Sequence, residues 1–278
     1  LHADAKDTDN MRLLPNTRTL ALVATLFLGL SSSLQAAGFR LTVPPFLPQA
    51  EMKSQYTKMT DYLGKSIGTP VELITNSTYL GHWEAMRKGA GYELVFDNAP
   101  MIDFLVQRQN YTVLAKIAGV VSQSLVTRND VAILDPQELL GKPVATIASP
   151  NLSALTLFQM FPNPMRLPDF KYANNTREAI DMVLKGKVVA ALVPTPIAIL
   201  YNDLNIVTSS KQLPHLAIAA SPTVPADVQA KIRQALLQAD KTPEGRAMLE
   251  MLNTNGFEAA SNATYAGYAE LLKGTYGY

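Results

Sequence analysis

Apolar and polar positions alternate in short runs separated by helical periods along most of the chain. Phe39-Arg40-Leu41-Thr42-Val43 alternates as a strand and stops at Pro44-Pro45. Met52, Tyr56, Met59, Tyr62 and Leu63 recur at helical spacing, which predicts a helix over Glu51 to Ile67. Val71 to Thr75 reads as a strand, and Ser77 or Thr78 caps a helix carrying Tyr79, Trp83 and Met86. Glu93 to Phe96 is a third strand, running into Asp97-Asn98-Ala99-Pro100, where proline suits the first turn of the next helix. Thr112 to Ala118 closes this β-α-β-α-β-α-β unit, which predicts a mostly parallel sheet with helices on both faces.

The pattern then restarts. Ser122 to Thr127 is a strand, Asp135 to Lys142 a short capped helix, and Val144 to Ala148 a buried strand. The strand leads through Ser149-Pro150-Asn151-Leu152-Ser153 into a helix bearing Leu155 and Phe158, which Phe161-Pro162-Asn163-Pro164 ends. Thr176 is expected to cap a helix from Arg177 to Lys185, and Val188 to Val193 is apolar enough for a strand covered on both faces. Strands at Ile206-Val207 and Leu216 to Ala219 precede helices at Ala226 to Ala239, Thr242 to Asn253 and Tyr265 to Leu272. The fold class is therefore α/β in two lobes, with a ligand cleft at the C-terminal strand ends. The expected division is 38–119 plus 244–278 for the first lobe and 120–243 for the second.

The first 37 residues stand apart. Met11 reads as a start, Arg12 and Arg18 as a basic region, Leu20 to Leu30 as an apolar core and Ser31 to Ala37 as a small-residue exit. That is a secretory signal with cleavage near Ala36, and it implies a periplasmic protein. About 240 residues remain, enough for two modest lobes. A formal net charge of +1 argues against a surface devoted to nucleic acid. The chain has no cysteine, which excludes disulfides, a thiol nucleophile and cysteine metal sites.

The chemistry is concentrated at strand ends. Ser149, Asn151 and Ser153 lie where a strand opens a helix, and unpaired amide groups with the helix dipole favour an anion there without Arg or Lys. An ordinary capped helix is the plainer reading of the same stretch. Asp97 is either a helix cap or a cleft contact. Of three histidines, only His82 and His215 lie outside the leader, in different lobes and without paired spacing, so neither a zinc site nor a Ser-His-Asp triad is supported. Met52, Met59, Met86 and Met101 have core spacing rather than that of a soft-metal site. No P-loop or dinucleotide fingerprint is present. We expect no catalysis, no cofactor and no metal.

Several phrases, in order, resemble the periplasmic phosphate/phosphonate-binding proteins that feed ABC importers. Tyr62-Leu63 through Gly68-Thr69-Pro70-Val71-Glu72-Leu73 is similar to the family's opening phrase "YL…TG.PVEL". Asn98-Ala99-Pro100 is similar to its "PAP" turn, and Leu139-Leu140-Gly141-Lys142-Pro143-Val144-Ala145 to "DLKGKRVA". Asn151-Leu152-Ser153 falls on its "S-x-S" phosphate loop and Ala179 to Ala191 on "AL..V..GKVDAA". Ser209 to Pro214 and Pro243 to Leu249 match more distally.

The resemblance implies a type II periplasmic binding fold, a small and anionic ligand, a permease partner and a monomer. It also makes Tyr79 an aromatic ligand contact. This chain departs from the family at Asn151 for a loop serine, Met101 for an aromatic, Val189 for an aspartate and Pro194 for an acid that meets a ligand amine. The expected ligand-binding set is Tyr79, Asp97 and Asn98 from one lobe and Ser149, Asn151, Ser153 and Thr195 from the other. An accessory or sensory module delivering to a signalling or redox partner is the alternative on the same fold.

Overall fold

The computed structural model describes residues 38–278 apart from Phe46 and Pro48, and these residues form one unit. The signal segment read from the sequence lies outside the described residues.

The first lobe follows the expected alternation. Strand β1 (Phe39–Thr42) leads to α1 (Gln49–Ile67), β2 (Val71–Ile74), α2 (Tyr79–Arg87), β3 (Leu94–Asp97), α3 (Ala99–Gln109) and β4 (Thr112–Ile117). Thr78 caps α2 by accepting from Gly81 N at 3.0 Å, and Asn98 caps α3 through Met101 N. The second lobe contains β6 (Gln123–Arg128), a 3-10 turn at Pro136–Leu139, β7 (Pro143–Ile147), α4 (Leu152–Met160), β8 (Asp169–Ala173), α5 (Thr176–Leu184), β9 (Ala190–Pro194), α6 (Thr195–Ala198) and β10 (Leu204–Ser209). Its sheet runs β10-β6-β9-β7-β8. The edge strand β8 has no counterpart in the sequence reading, and Asn175 rather than Thr176 caps α5, accepting from Glu178 N at 3.0 Å.

The first sheet is mixed rather than mostly parallel. Strand β12 (Ala217–Ala220) returns from the second lobe and inserts between β3 and β4, antiparallel to both. The full order is β13-β4-β12-β3-β1-β2, where β13 is Phe257–Glu258. The chain thus re-enters the first sheet at Ala217, earlier than the boundary near Pro243 read from the sequence. Helix α7 (Ala226–Leu237) goes with it, because Ile232 and Leu236 bury in the same cluster as Leu114 of β4.

Each sheet is covered on both faces. On one face of the first sheet α1 contributes Met52, Met59 and Leu63, and α8 (Pro243–Met251) contributes Met248. On the other face lie Trp83, Met86, Met101 and Ile102, with Tyr265 of α9 (Asn262–Tyr265). Met52, Met59, Met86 and Met101 are at most 1 % exposed, as core residues. Ala179, Ile180 and Val183 cover one face of the second sheet, and Leu139, Leu157 and Phe161 the other.

Two crossovers join the lobes, and they pair as a short antiparallel ribbon of β5 (Val120–Val121) and β11 (Leu213–Pro214). His215 follows directly. Its Nδ1 accepts from Leu216 N at 2.8 Å, and burial, then the Lys116 charge, lower the imidazole from 6.5 to about 4. Folding therefore favours neutral His215. Its contribution to stability is present above pH 6.5 and is lost as the pH falls towards 4. Urea midpoints at pH 7 and pH 5 should drop less in His215→Gln than in wild type. Equal drops would place the acid-sensitive group elsewhere.

Candidate functional site

The C-terminal ends of β1 and β2 face those of β7 and β8 across the junction of the two lobes, with α2 and α5 opening on opposite walls. Between them lies a cavity of about 680 Å³. One wall is Pro45, Leu47 and Ser77 to Leu80; the other includes Ile147, Ala148, Asn174, Asn175 and Glu178. No Lys or Arg is among these lining residues.

Tyr79 begins α2 at this wall and is 6 % exposed, yet its hydroxyl has no hydrogen-bond partner. The Asn151 side chain approaches from the other lobe without completing one. Burial, then the Asp97 charge, push the Tyr79 phenol well above its ordinary value, and Asn151 opposes them. The Thr42 hydroxyl, at the end of β1, is likewise buried and unpartnered. A buried polar atom without a partner costs about 1 to 3 kcal/mol.

Asp97 is fully buried at the end of β3. Its Oδ2 accepts from His82 Nε2 at 2.7 Å and its Oδ1 from Asn98 N at 2.7 Å. The Asn76 amide lies 3.3 Å from His82 Nδ1. With Nδ2 donating to Nδ1, the His82 ring proton sits on Nε2, facing Asp97. Asp97 is thus not the cap of α3, a role taken by Asn98. It is the acceptor that fixes His82, and its field reaches both Tyr79 and Tyr56.

In the second lobe the anion-loop residues bond largely to their own lobe. Asn151 caps α4 with its Oδ1 accepting from Ser153 N at 2.8 Å, and Ser153 Oγ donates to Gln123 Oε1 at 2.7 Å. Asn151, Ser153 and Gln123 are buried. Thr195 Oγ1 lies 2.8 Å from both Ser122 Oγ and Ser124 Oγ, and Ser124 Oγ lies 2.8 Å from Ser209 Oγ. This hydroxyl chain ties the start of α6 to β6 and to the end of β10.

The fold therefore brings Tyr79 and Asn151 together, with Asp97 close enough to act on Tyr79. Asn98 and Ser153 stand beside them in sequence at the same strand-to-helix junctions. Ser149 departs from the group. It opens onto a second groove of about 450 Å³ with Phe158, Leu167 and Lys273, and Ala148 lines the cleft in its place. Thr42 and Gln123 were not singled out in the sequence, and His82 only as a candidate neighbour of the cleft beside Tyr79. For Gln123 a signal existed: Ser122-Gln123-Ser124 is a polar run at the head of an otherwise apolar buried strand.

The comparisons with known proteins fit this geometry. The PhnD1 protein of Prochlorococcus marinus, in complex with methylphosphonate, superposes with a TM-score of 0.72 at 15% identity, over 85% of this chain and 97% of that one. A binding protein component of an ABC phosphonate transporter from Pseudomonas aeruginosa gives 0.69 at 13% identity, over 84% of each chain. A Xanthomonas citri protein bound to ATP gives 0.68 at 15% identity, over 86% of this chain and 97% of that one. These likenesses carry the fold, that of two-lobed type II periplasmic binding proteins. By sequence, no curated protein matches. The family profile described as "ABC transporter, phosphonate, periplasmic substrate-binding protein" matches residues 41–265. The chain belongs to that family, the periplasmic substrate-binding proteins of phosphonate ABC transporters.

Proposed function

We propose that this protein captures a small phosphonate-type oxyanion between its lobes and presents the closed, loaded form to an ABC permease. The observation that carries this reading is the pair of buried, unpartnered hydroxyls, Tyr79 on the cavity wall and Thr42 at the end of β1. An oxyanion is rich in acceptors, and these hydroxyls are donors with nothing else to serve. The dipole of α4 adds a favourable field for negative charge. Asn98, Asn151, Ser153 and Thr195 complete the proposed ligand set with Tyr79, and Asp97 and His82 position it. Ser149, which opens onto the outer groove, is left out of the set.

Selectivity would then come from neutral hydrogen bonds and shape. Closure of the lobes on the ligand would make the loaded form the one a partner recognises.

Calorimetry with methylphosphonate tests the reading. Wild type should bind it. Tyr79→Phe removes one hydrogen bond to a charged group, about 1.5 to 3 kcal/mol, or roughly tenfold to a hundredfold in affinity. The fold should hardly notice, because the hydroxyl has no protein partner to lose. Equal affinities in the two proteins would move the ligand away from Tyr79, and no binding by wild type would remove phosphonates from its range.

A further inference from the structure

We propose that Asp97 makes the cleft selective for charge: the oxyanion is taken up as a single negative charge, with its last proton retained, and the doubly charged form is excluded. The inference rests on the reading of the cleft as an oxyanion site and adds which form of the anion it accepts.

Among the described residues, the geometry is that of a buried carboxylate whose partners are a histidine and a backbone amide rather than a Lys or Arg. Asp97 is fully buried, and both its oxygens accept hydrogen bonds. It therefore acts as an ionised acceptor. Its partner His82, 1 % exposed, has the Asn76 amide nitrogen 3.3 Å from Nδ1 and turns Nε2 to the carboxylate. Tyr56 from α1 and Tyr79 from α2 face the same carboxylate, and both are pushed upward as phenols, so neither supplies negative or positive charge. Along the sheet row the neighbours of Asp97 are Ala217 and then Lys116, two strands away. The Lys116 ammonium is engaged by the Gly119 carbonyl and by Glu258. At the cavity mouth the charged group is Glu178, a second carboxylate.

Like charges in a poorly solvated site disfavour ionisation. The α4 dipole and the neutral donors can hold one negative charge, but a second one meets the Asp97 field. The hydroxyls suit the protonated head as well. Tyr79 and Thr42 can each donate to one ligand oxygen or accept from a ligand O–H, whereas an Arg or Lys could only donate.

The test compares methylphosphonate with methanesulfonate, which carries a single charge and has no second proton to lose. Calorimetry would span the second ionisation of methylphosphonate. Wild-type affinity for methylphosphonate should fall about tenfold for each pH unit above that ionisation, while affinity for methanesulfonate stays flat. Asp97→Asn should flatten the methylphosphonate slope. If that variant does not fold, the two wild-type slopes still decide. A flat methylphosphonate profile would overturn charge selection while leaving the oxyanion site standing. Parallel falls for both ligands would assign the titration to the protein and also overturn it. Binding of neither anion at any pH would overturn this inference together with the reading beneath it.

Discussion

Asp97→Ala should destabilise the fold by about 2 to 6 kcal/mol, from the two buried donors it leaves without an acceptor. The carboxylate is fully buried and His82 is 1 % exposed, so the side-chain groups left behind cannot turn to bulk water. Removing the carboxylate orphans two donors, His82 Nε2–H and the Asn98 amide, each now 2.7 Å from a carboxylate oxygen. An unsatisfied buried donor costs about 1 to 3 kcal/mol. Urea unfolding should show a lower midpoint with the slope unchanged. The double variant Asp97→Leu with His82→Leu should recover part of the loss, because apolar groups of similar volume leave no orphan. A loss below about 1 kcal/mol for Asp97→Ala would mean that water reaches the pair and that it is not a buried structural element.

Local signals explain how much of the architecture the sequence carries. Thr78 and Asn151 were read as caps because short polar side chains precede apolar helical periods, and each accepts the amide bond expected of it, whereas at α3 the cap is Asn98 and not the Asp97 read from the sequence. Asp135 and Glu138 form a reciprocal capping box, although the helix they open is only one 3-10 turn. Strand β8 escaped notice because it is an edge strand with Asp169, Lys171 and Tyr172 exposed, so no buried run marks it. The insertion of β12 between β3 and β4 is a pairing across a hundred residues, and local alternation carries no information about it. Its members Ala217, Ile218, Ala219 and Ala220 are all buried, as a central strand requires.

The candidate site divides the same way. Asp97, Asn98, Asn151 and Ser153 were named as candidates from their places at strand-to-helix junctions, and Tyr79 from the family resemblance. Their partners were not. That Ser153 spends its hydroxyl hydrogen on Gln123, and that Asp97 holds His82, follows from packing between elements 30 and 15 residues apart. Ser149 shows the limit in the other direction. It sits at a strand end like the others, but the turn aims it at the outer groove, and only coordinates reveal which way a turn residue points.

Leu155→Ala should open the ligand-free protein. Helix α4 has two apolar faces. Leu157 joins the core of its own lobe, whereas Leu152 and Leu155, three residues apart, bury in the cluster of Trp83, Met101 and Phe104 from the first lobe. Leu155 is 4 % exposed. A buried Leu→Ala change costs about 2 to 5 kcal/mol. If the two lobes separate at this contact, opening already exposes Leu155, and the cost falls on closure rather than on unfolding. About 2 kcal/mol shifts the closed-to-open ratio roughly thirtyfold. Small-angle scattering should then give a larger radius of gyration for the variant without ligand, while its urea midpoint moves little. Affinity for a ligand that needs the closed state should weaken as the closed fraction falls. Unchanged scattering with a full loss of unfolding free energy would instead make Leu155 part of a permanent core joining the lobes, and closure would have to be sought at another contact.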